Sequence, residues 1–379
     1  EPEIGIAKRA LKLSSSDFAD ALEELMGAGL AQASGKVWPR QLARGYLQNQ
    51  PRLRAKLALG LARQQSPQQA LSLYQIAKDL WADEDLADVS EAYIKQAKDI
   101  LERGFPQQAV DLLTEAPLND ETGFWKAYAL ERCVRLEESL VIATQLTETE
   151  ECKALQANLY RRLGDVNKAE TLAQQVIKGK GNILARALAF HALGEIARLT
   201  KRYAEAINYH QRSLVLWRAQ NNRAYAANSI NNLALTLDDM GEPIEKVEAT
   251  FQEALSEAGE SLNLKSMILG NLAVAWDQHG RTDKALEIYQ QIIQSAEALG
   301  LDDILAYTWH NLGYLYHSKE KISEAKHAYK QALKYAQKTG LQSILGTTLA
   351  NLAEITNDYD AWQEALDILE SIGNHALAE

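Results

Sequence analysis

The stretch from Gly29 to Lys36 comes closest to a nucleotide-binding motif in this sequence. A phosphate-binding loop has four residues between its first glycine and its Gly-Lys pair, and a hydroxyl residue that binds magnesium after the lysine. Here five residues separate Gly29 from Gly35, and Val37 follows Lys36. We interpret the stretch as a turn. Because HExxH, paired CxxC and GxSxG patterns are also missing, we predict that the chain is not an enzyme.

Four asparagines recur at one position of a long-period pattern. Asn232, Asn271, Asn311 and Asn351 each stand directly before a leucine. A primary amide both donates and accepts hydrogen bonds, so such a series can bind an extended peptide backbone whatever its side chains are. The alternative is that these amides bond a neighbouring helix or each other, because buried polar groups are usually satisfied internally.

A second candidate binding surface combines aromatic and imidazole rings. Tyr307, His310, Tyr314 and His317 are spaced by three, four and three residues, so they share one face of a predicted helix. Such rings can stack on a sugar, a base or a peptide ring, and the alternative is an ordinary surface of polar aromatic residues. The two histidines would lie about 10 Å apart, too far for one ion, so we predict neither a metal site nor a cofactor.

Charged residues of both signs are predicted on the same face of the repeated pattern. His191, Glu195 and Arg198 are spaced by four and three residues, which places them side by side on a helix. A groove lined in this way has mixed charge. Nucleic acid is therefore an unfavoured ligand for it, because a phosphate backbone needs lysine and arginine in excess.

These candidates belong to a repeat of about 40 residues. One leucine marks each copy, and a glycine or alanine follows it every time. The five leucines are Leu193, Leu233, Leu272, Leu312 and Leu352, at intervals of 39 or 40 residues. A small residue lets two helices of a hairpin approach closely, and a larger residue further on fills the space between hairpins. A single hairpin cannot bury its apolar stripe alone, so the pattern predicts stacked hairpins.

The copy with the most complete pattern resembles a tetratricopeptide repeat. Its matching residues are Trp309, Leu312, Gly313, Tyr316, Ala325, Tyr329 and Ala332. The resemblance implies an all-α right-handed superhelix, an α-solenoid of helix–turn–helix units whose first helices line a concave groove. It also implies that the asparagine series contacts a peptide there. The usual 34-residue period and terminal proline are absent, and Gly300 and Gly340 are predicted to end helices instead.

The repeat pattern suggests three regions. Residues 183–379 hold five regular repeats, residues 51–182 hold degenerate helical hairpins of the same kind, and residues 1–50 do not fit the repeat. In the first region, the segments from Asp20 to Leu25, Gly29 to Leu30 and Leu42 to Leu47 resemble the winged-helix module of STAND-class regulators, the MalT-like large ATP-binding transcriptional activators. The alternative is a plain helical cap for the solenoid.

That second resemblance implies a function. In such regulators, a superhelical repeat domain follows the winged helix and senses an inducer. We therefore expect a ligand-binding or protein-binding sensor domain of a cytoplasmic signal-transduction ATPase that regulates transcription, in contact with an NTPase domain that this chain lacks. The alternative is a standalone scaffold that binds a peptide segment of a partner protein in its groove.

The charge of the chain is unevenly distributed. The net charge is −11, yet no aspartate or glutamate occurs from Leu25 to Lys78. A basic docking patch is predicted in this stretch, formed by Lys36, Arg40, Arg44, Arg52, Arg54 and Lys56. The patch could bind an acidic partner or the NTPase domain, and the alternative is a solvated basic face.

Composition limits the cellular setting. Only Cys133 and Cys152 are present, too few for a disulfide framework and consistent with a reducing cytoplasm. Mean hydropathy is −0.30, and no run of 18 apolar residues occurs. We therefore predict a cytoplasmic protein that does not bind membranes.

Overall fold

The computed structural model describes residues 71–371 apart from 73, 76 and 77. Within these residues every regular element is helical and there is no β-strand. The first eight α-helices are α1 (Leu86–Glu102), α2 (Pro106–Thr114), α3 (Asp120–Arg132), α4 (Leu136–Gln145), α5 (Glu150–Arg162), α6 (Val166–Lys178), α7 (Ile183–Leu199) and α8 (Tyr203–Ala219). The next eight are α9 (Arg223–Asp239), α10 (Ile244–Glu257), α11 (Leu262–Gln278), α12 (Thr282–Leu299), α13 (Asp302–Ser318), α14 (Ile322–Thr339), α15 (Gln342–Thr356) and α16 (Tyr359–Ser371). The predicted all-α fold is confirmed.

The chain divides into two compact units. The first is Glu1–Leu101 with Gln107–Lys126, and the second is Glu102–Pro106 with Ala127–Glu379. In the first unit, α1 buries Val89, Tyr93 and Ala97 along one face. The Trp81 ring meets Tyr93 edge-on, with ring centroids 6.3 Å apart. The predicted winged-helix-like cap at residues 1–50 lies outside the described residues.

The second unit is a stack of helical hairpins. In each of the pairs α5–α6, α7–α8, α9–α10, α11–α12, α13–α14 and α15–α16, the two helices pack together. The second helix of each pair also packs on the first helix of the next pair, and successive first helices from α5 to α15 touch. Each hairpin therefore buries its apolar stripe against its neighbours, which is the packing of an α-solenoid.

The spacing of the helices matches the repeat in the sequence. The first helices α7, α9, α11, α13 and α15 begin at residues 183, 223, 262, 302 and 342, so successive starts lie 39 or 40 residues apart. Side-chain caps set several of these starts. Asn182 accepts a hydrogen bond from the backbone N–H of Ala185, and Ser261 accepts one from Leu264. Gly300 and Gly340 end their helices in the left-handed conformation, as predicted.

The turn inside each hairpin has one recurring backbone geometry. In the turns of the hairpins from α5–α6 to α15–α16, one residue has a positive φ angle. The N–H of the residue directly before the next helix bonds a carbonyl in the last turn of the helix before it, except in the α9–α10 turn, where the N–H lies one residue earlier because Pro243 follows it. In the α11–α12 turn, for example, Gly280 has a φ of +75° and the Arg281 N–H donates to the Trp276 carbonyl at 2.7 Å. Non-glycine residues take the same conformation at Val134, Lys201 and Glu320. This cap satisfies carbonyls that a helix end would otherwise leave unbonded.

Small residues after the repeat leucine allow close helix contact, as predicted. A Cβ atom on Gly313 would lie 2.5 Å from the ring of Tyr329 on the facing helix, and one on Gly194 would lie 2.5 Å from the ring of His210. Tyr329 is fully buried. Burying a large side chain of this kind contributes about 1.5–3 kcal/mol, so these contacts between the two helices of a hairpin are central to the core.

Candidate functional site

The first helices of the hairpins share one polar face. The first-helix face is the surface on α7, α9, α11, α13 and α15 that carries His191, Asn232, Asn271, Asn311 and Asn351. All five side chains are half-buried. They therefore retain access to solvent while their neighbours on the other side of each helix form the core.

Hydrogen bonds join these side chains from one hairpin to the next. The Asn232 amide nitrogen lies 3.2 Å from Nδ1 of His191. Asn231 donates to the Oδ1 of Asn232 at 3.2 Å, and Asn271 donates to the Oδ1 of Asn231 at 2.9 Å. Asn232 and Asn271 are thus joined through Asn231, an asparagine outside the predicted series. Each amide has two donors and a carbonyl oxygen, so bonding capacity remains for a ligand.

Exposed apolar side chains lie beside this row of amides. Tyr307 and Tyr314 on α13 are 43% and 61% exposed, and Met267 and Val274 on α11 are 39% and 40% exposed. Each pair is seven residues apart on its helix, and the two pairs are offset by 40 residues. The four side chains therefore lie on the same face of two neighbouring first helices, and we call this set the apolar patch. Exposed apolar surface of this kind marks a place where another molecule can bind.

The two predicted histidines on α13 have different surroundings from the tyrosines. His310 is half-buried, and its Nδ1 lies 2.8 Å from the Thr348 hydroxyl on α15. Burial lowers the pKa of His310 to about 4, so its ring is neutral at neutral pH. His317 is half-buried in the last turn of the same helix. His310 therefore connects two hairpins, as His191 does.

The predicted charged group on α7 forms a compact network. Arg198 donates to Glu195 at 3.1 Å and to Asp239 on α9 at 2.6 Å. Nε2 of the buried His210 lies 3.5 Å from Oε1 of Glu195. Burial opposes ionisation of Glu195, but the charges of His210 and Arg198 outweigh it and lower the pKa of Glu195 to about 2. The carboxylate is therefore ionised throughout the ordinary pH range.

Two arginines that the sequence analysis did not select extend the face toward α3. Arg161 on α5 donates to the side-chain oxygen of Asn158 at 2.9 Å, and it forms no ion pair within the described residues. Arg132, exposed in the last turn of α3, has neither a hydrogen bond nor an ion pair there. By contrast, Arg162 is paired with Glu131. Positive charge without a carboxylate partner therefore remains on this part of the face.

The charge of Arg132 also affects the pKa of Tyr307 in the apolar patch. Burial raises the pKa of Tyr307, and the positive charges of Arg162 and Arg132 oppose that rise. The tyrosine on α13 and the arginines on α5 and α3 therefore lie within electrostatic range of each other, although 145 to 175 residues separate them in sequence (307 − 162 and 307 − 132). The sequence signal that could have identified them is an arginine in the last turn of each of α3, α5 and α7.

The remaining points concern the predicted basic docking patch, metal sites and membrane-spanning helices. The predicted basic docking patch lies outside the described residues. In residues 78–371, no three His, Cys, Asp or Glu side chains come together as a metal site would require. In the same part of the chain, no helix has both the length and the apolar character needed to cross a membrane.

The comparison with protein families agrees with the geometry of the hairpins. Residues 185–256 and 266–338 match the family model of the tetratricopeptide repeat. These segments are tetratricopeptide repeats. They cover α7 to α10 and α11 to α14 except for one to four residues at the outer ends, so the family match includes both the row of amides and the apolar patch. Tetratricopeptide repeats of this kind form protein-interaction domains.

Solved structures share the fold at low sequence identity. A signal transduction ATPase with numerous domains (STAND) from Pyrococcus horikoshii, which has a tetratricopeptide repeat sensor, is 17% identical with a TM-score of 0.55. The match covers 98% of this chain and 65% of that chain. A Rap protein complexed with competence and sporulation factor is 15% identical with a TM-score of 0.51, covering 78% of this chain and 89% of that chain. No curated protein matches the sequence.

Proposed function

We propose that this chain is the sensor arm of a cytoplasmic signal-transduction ATPase that regulates transcription, and that its first-helix face binds a peptide or protein segment or a small inducer. The observation that carries the binding proposal is the apolar patch beside the row of partly exposed amides. Apolar side chains provide most of the binding free energy of a peptide, and amides hold its backbone in register. The likeness to the STAND protein supports the ATPase context.

The chemistry of the face favours a particular ligand. A bulky apolar side chain fits against Tyr307, Tyr314 and Met267, because burial of apolar area stabilises the complex. A carboxylate within reach of Arg132 would obtain charge-assisted hydrogen bonds, which are stronger than neutral ones. We therefore infer a ligand that combines an apolar group with a carboxylate.

A standalone scaffold is the second candidate function. Such a protein would hold the peptide segment of a partner on the same face without any ATPase, and the likeness to the Rap protein, solved with a bound factor, supports it. Both functions place the ligand on the first-helix face. They differ in the size of the native polypeptide and in what the bound segment controls.

Selection from a displayed library of random peptides tests the binding proposal. We expect peptides enriched on the wild-type chain to bind at least about tenfold more weakly to the double variant Tyr307→Ala and Tyr314→Ala, because it loses the apolar patch. The triple variant Asn271→Ala, Asn311→Ala and Asn351→Ala should lose capture as well. Affinities are measured by titration calorimetry.

Tyr359→Ala is the matched control. Tyr359 is 74% exposed but lies on α16, a second helix, so its removal should leave peptide affinity unchanged. Circular dichroism would show that every variant keeps its helices. Equal affinity of the wild-type chain and the double tyrosine variant would refute binding at this face.

A further inference from the structure

A cavity lies away from the first-helix face, between α12, α13 and α14. Its volume is about 550 Å³, and Trp309, Leu312 and Tyr316 of α13 line one side of it. Successive residues of a helix are rotated by about 100°, so these three lie on the opposite side of α13 from Tyr307 and Asn311. The cavity is therefore separate from the proposed peptide site.

The walls of the cavity are aromatic and its rim is acidic. The lining residues are Gln290, Ile293, Gln294, Glu297, Trp309, Leu312, Tyr316, Ser323, Glu324 and His327. Lysine and arginine are absent from this lining, and neither Glu297 nor Glu324 forms an ion pair in the described part of the chain. The Trp309 ring stands edge-on to His327 at 5.9 Å, and its Nε1 is buried without an acceptor. Aromatic faces and free carboxylates both attract a cation.

The preceding hairpin places a cation of its own at the matching position. Forty residues earlier, Trp276 corresponds to Tyr316 and Lys284 corresponds to Glu324. The Lys284 Nζ lies 5.1 Å from the centre of the Trp276 ring and 4.0 Å from a carboxylate oxygen of Glu248. That hairpin therefore holds a lysine between an aromatic ring and a carboxylate.

The α13–α14 hairpin has an aromatic ring, Tyr316, at the position of Trp276, but it has no lysine at the position of Lys284. Glu324 stands where Lys284 stands one repeat earlier, so a carboxylate replaces the cation. Lys321 lies 5.9 Å from the centre of the Tyr316 ring, at the outer limit of a cation–π contact. It forms no ion pair with either glutamate at the rim in the structure described.

We propose that this cavity binds a basic side chain, an arginine or a lysine, of a partner protein. The long aliphatic stem packs against Leu312 and Ile293, and the charged head stacks on Trp309 or Tyr316 while it pairs with Glu297 and Glu324. An arginine fits such a site best because its planar group stacks on rings and bonds carboxylates in pairs. The site lies on a face that the proposed peptide site does not use, so it would allow a second partner to bind at the same time.

Fluorine NMR of the whole chain labelled with 5-fluorotryptophan tests the proposal. The seven tryptophans give separate probes, and the variant Trp309→Phe assigns the signal of the cavity. The probe ligand is the peptide acetyl-Gly-Arg-Gly-amide, with the uncharged citrulline peptide as its partner. We expect a saturable shift of the Trp309 signal with the arginine peptide, on the order of millimolar affinity, that weakens as salt is raised. The citrulline peptide should give none.

Two charge variants separate a local site from long-range attraction. Glu324→Lys supplies the cation from the chain itself, as Lys284 does in the preceding hairpin, and should weaken binding of the arginine peptide at least about tenfold. Glu364→Lys makes the same charge change at the matching position one hairpin later, on α16, and should leave binding unchanged.

Each outcome of this experiment decides the proposal. The peptide acetyl-Gly-Lys-Gly-amide is titrated in the same way. A shift with both the arginine and the lysine peptide identifies a general site for cations, and a shift with the arginine peptide alone identifies a site for guanidinium groups. No shift at about 10 mM peptide, an equal shift with citrulline, or equal weakening by the two charge variants would each overturn it. Failure here would leave the peptide selection at the first-helix face unaffected.

Discussion

His210 is a histidine at a repeat position where the next three hairpins have a phenylalanine or a tyrosine. Phe251, Tyr289 and Tyr329 fill the corresponding position in the next hairpins, and all are buried. His210 is 1% exposed, and neither of its ring nitrogens has a hydrogen-bond partner in the described residues. The ring therefore packs like the aromatic side chains, but it can take up a proton, which a phenyl ring cannot.

We expect this histidine to make stability depend on pH. Burial lowers the pKa of His210 from 6.5 to about 4, so between these values the unfolded chain binds more protons than the folded one. Stability is therefore lost as the pH falls from 6.5 to 4, by about 3 kcal/mol for this group. The variant His210→Phe should show a smaller loss between pH 7 and pH 5 when urea unfolding is followed by circular dichroism.

Glu195 acts in the same direction at lower pH. Its folded pKa of about 2 lies below the usual glutamate value of 4.5, so its contribution to stability disappears only as the pH falls through that range. The two groups therefore titrate in different windows. A His210→Phe variant with the same pH dependence as the wild-type chain between pH 7 and pH 5 would contradict the assignment to His210.

The contact between two helices of a hairpin depends on the residue directly after the repeat leucine. Gly313 lets α13 approach Tyr329 on α14 so closely that a Cβ atom would overlap the ring. Ala273 takes the same position one repeat earlier and is also fully buried. The repeat therefore accepts glycine or alanine at this position, but the hairpin that carries Gly313 leaves no room for a Cβ atom.

Gly313→Ala is expected to destabilise the chain. The better helix propensity of alanine contributes about 1 kcal/mol, but forcing the buried Tyr329 ring aside costs about 1–3 kcal/mol, so we expect a net loss of about 1 kcal/mol. Urea unfolding measures the change.

Gly270→Ala is the control for this substitution. Gly270 is also helical, but its added Cβ would meet only the Asn311 side chain at 3.6 Å, an ordinary contact. Alanine there should be neutral or stabilising. The explanation by close approach fails if the two substitutions change stability equally.

At the scale of the whole molecule, stacked hairpins create a surface that no single hairpin possesses. The row of amides connects α7, α9 and α11, and the apolar patch spans α11 and α13. Interactions between neighbouring hairpins provide the stability of such an array, so a bound segment that contacts several hairpins would stabilise their arrangement. This coupling is how a sensor arm of this fold could respond to its ligand.

The size of the native polypeptide tests the regulatory proposal. Because typical domains add 100 to 200 residues each, we expect an intact mass of at least about twice the 42.1 kDa of this chain, measured in cell extract by mass spectrometry. A mass near 42.1 kDa would contradict the ATPase context and favour the standalone scaffold.

The sequence by itself determined the repeat, the register of the helices and their glycine stops at Gly300 and Gly340. Those features depend on local backbone conformation and on residue spacing, which a single chain displays directly. The contact of Tyr329 with Gly313 inside one hairpin was not part of that prediction, which placed the large residue between hairpins.

Only the tertiary structure decided which side chains lie close together and which polar groups bond each other. The bond between Asn271 and Asn231, the electrostatic effect of Arg132 on Tyr307 and the cavity beside Tyr316 all depend on how hairpins stack. Residues that are far apart in sequence come near each other there, and the angle between hairpins and the side-chain rotamers select among several possible partners. Spacing along a helix identifies the face of a residue, but it cannot identify the side chain that stands opposite.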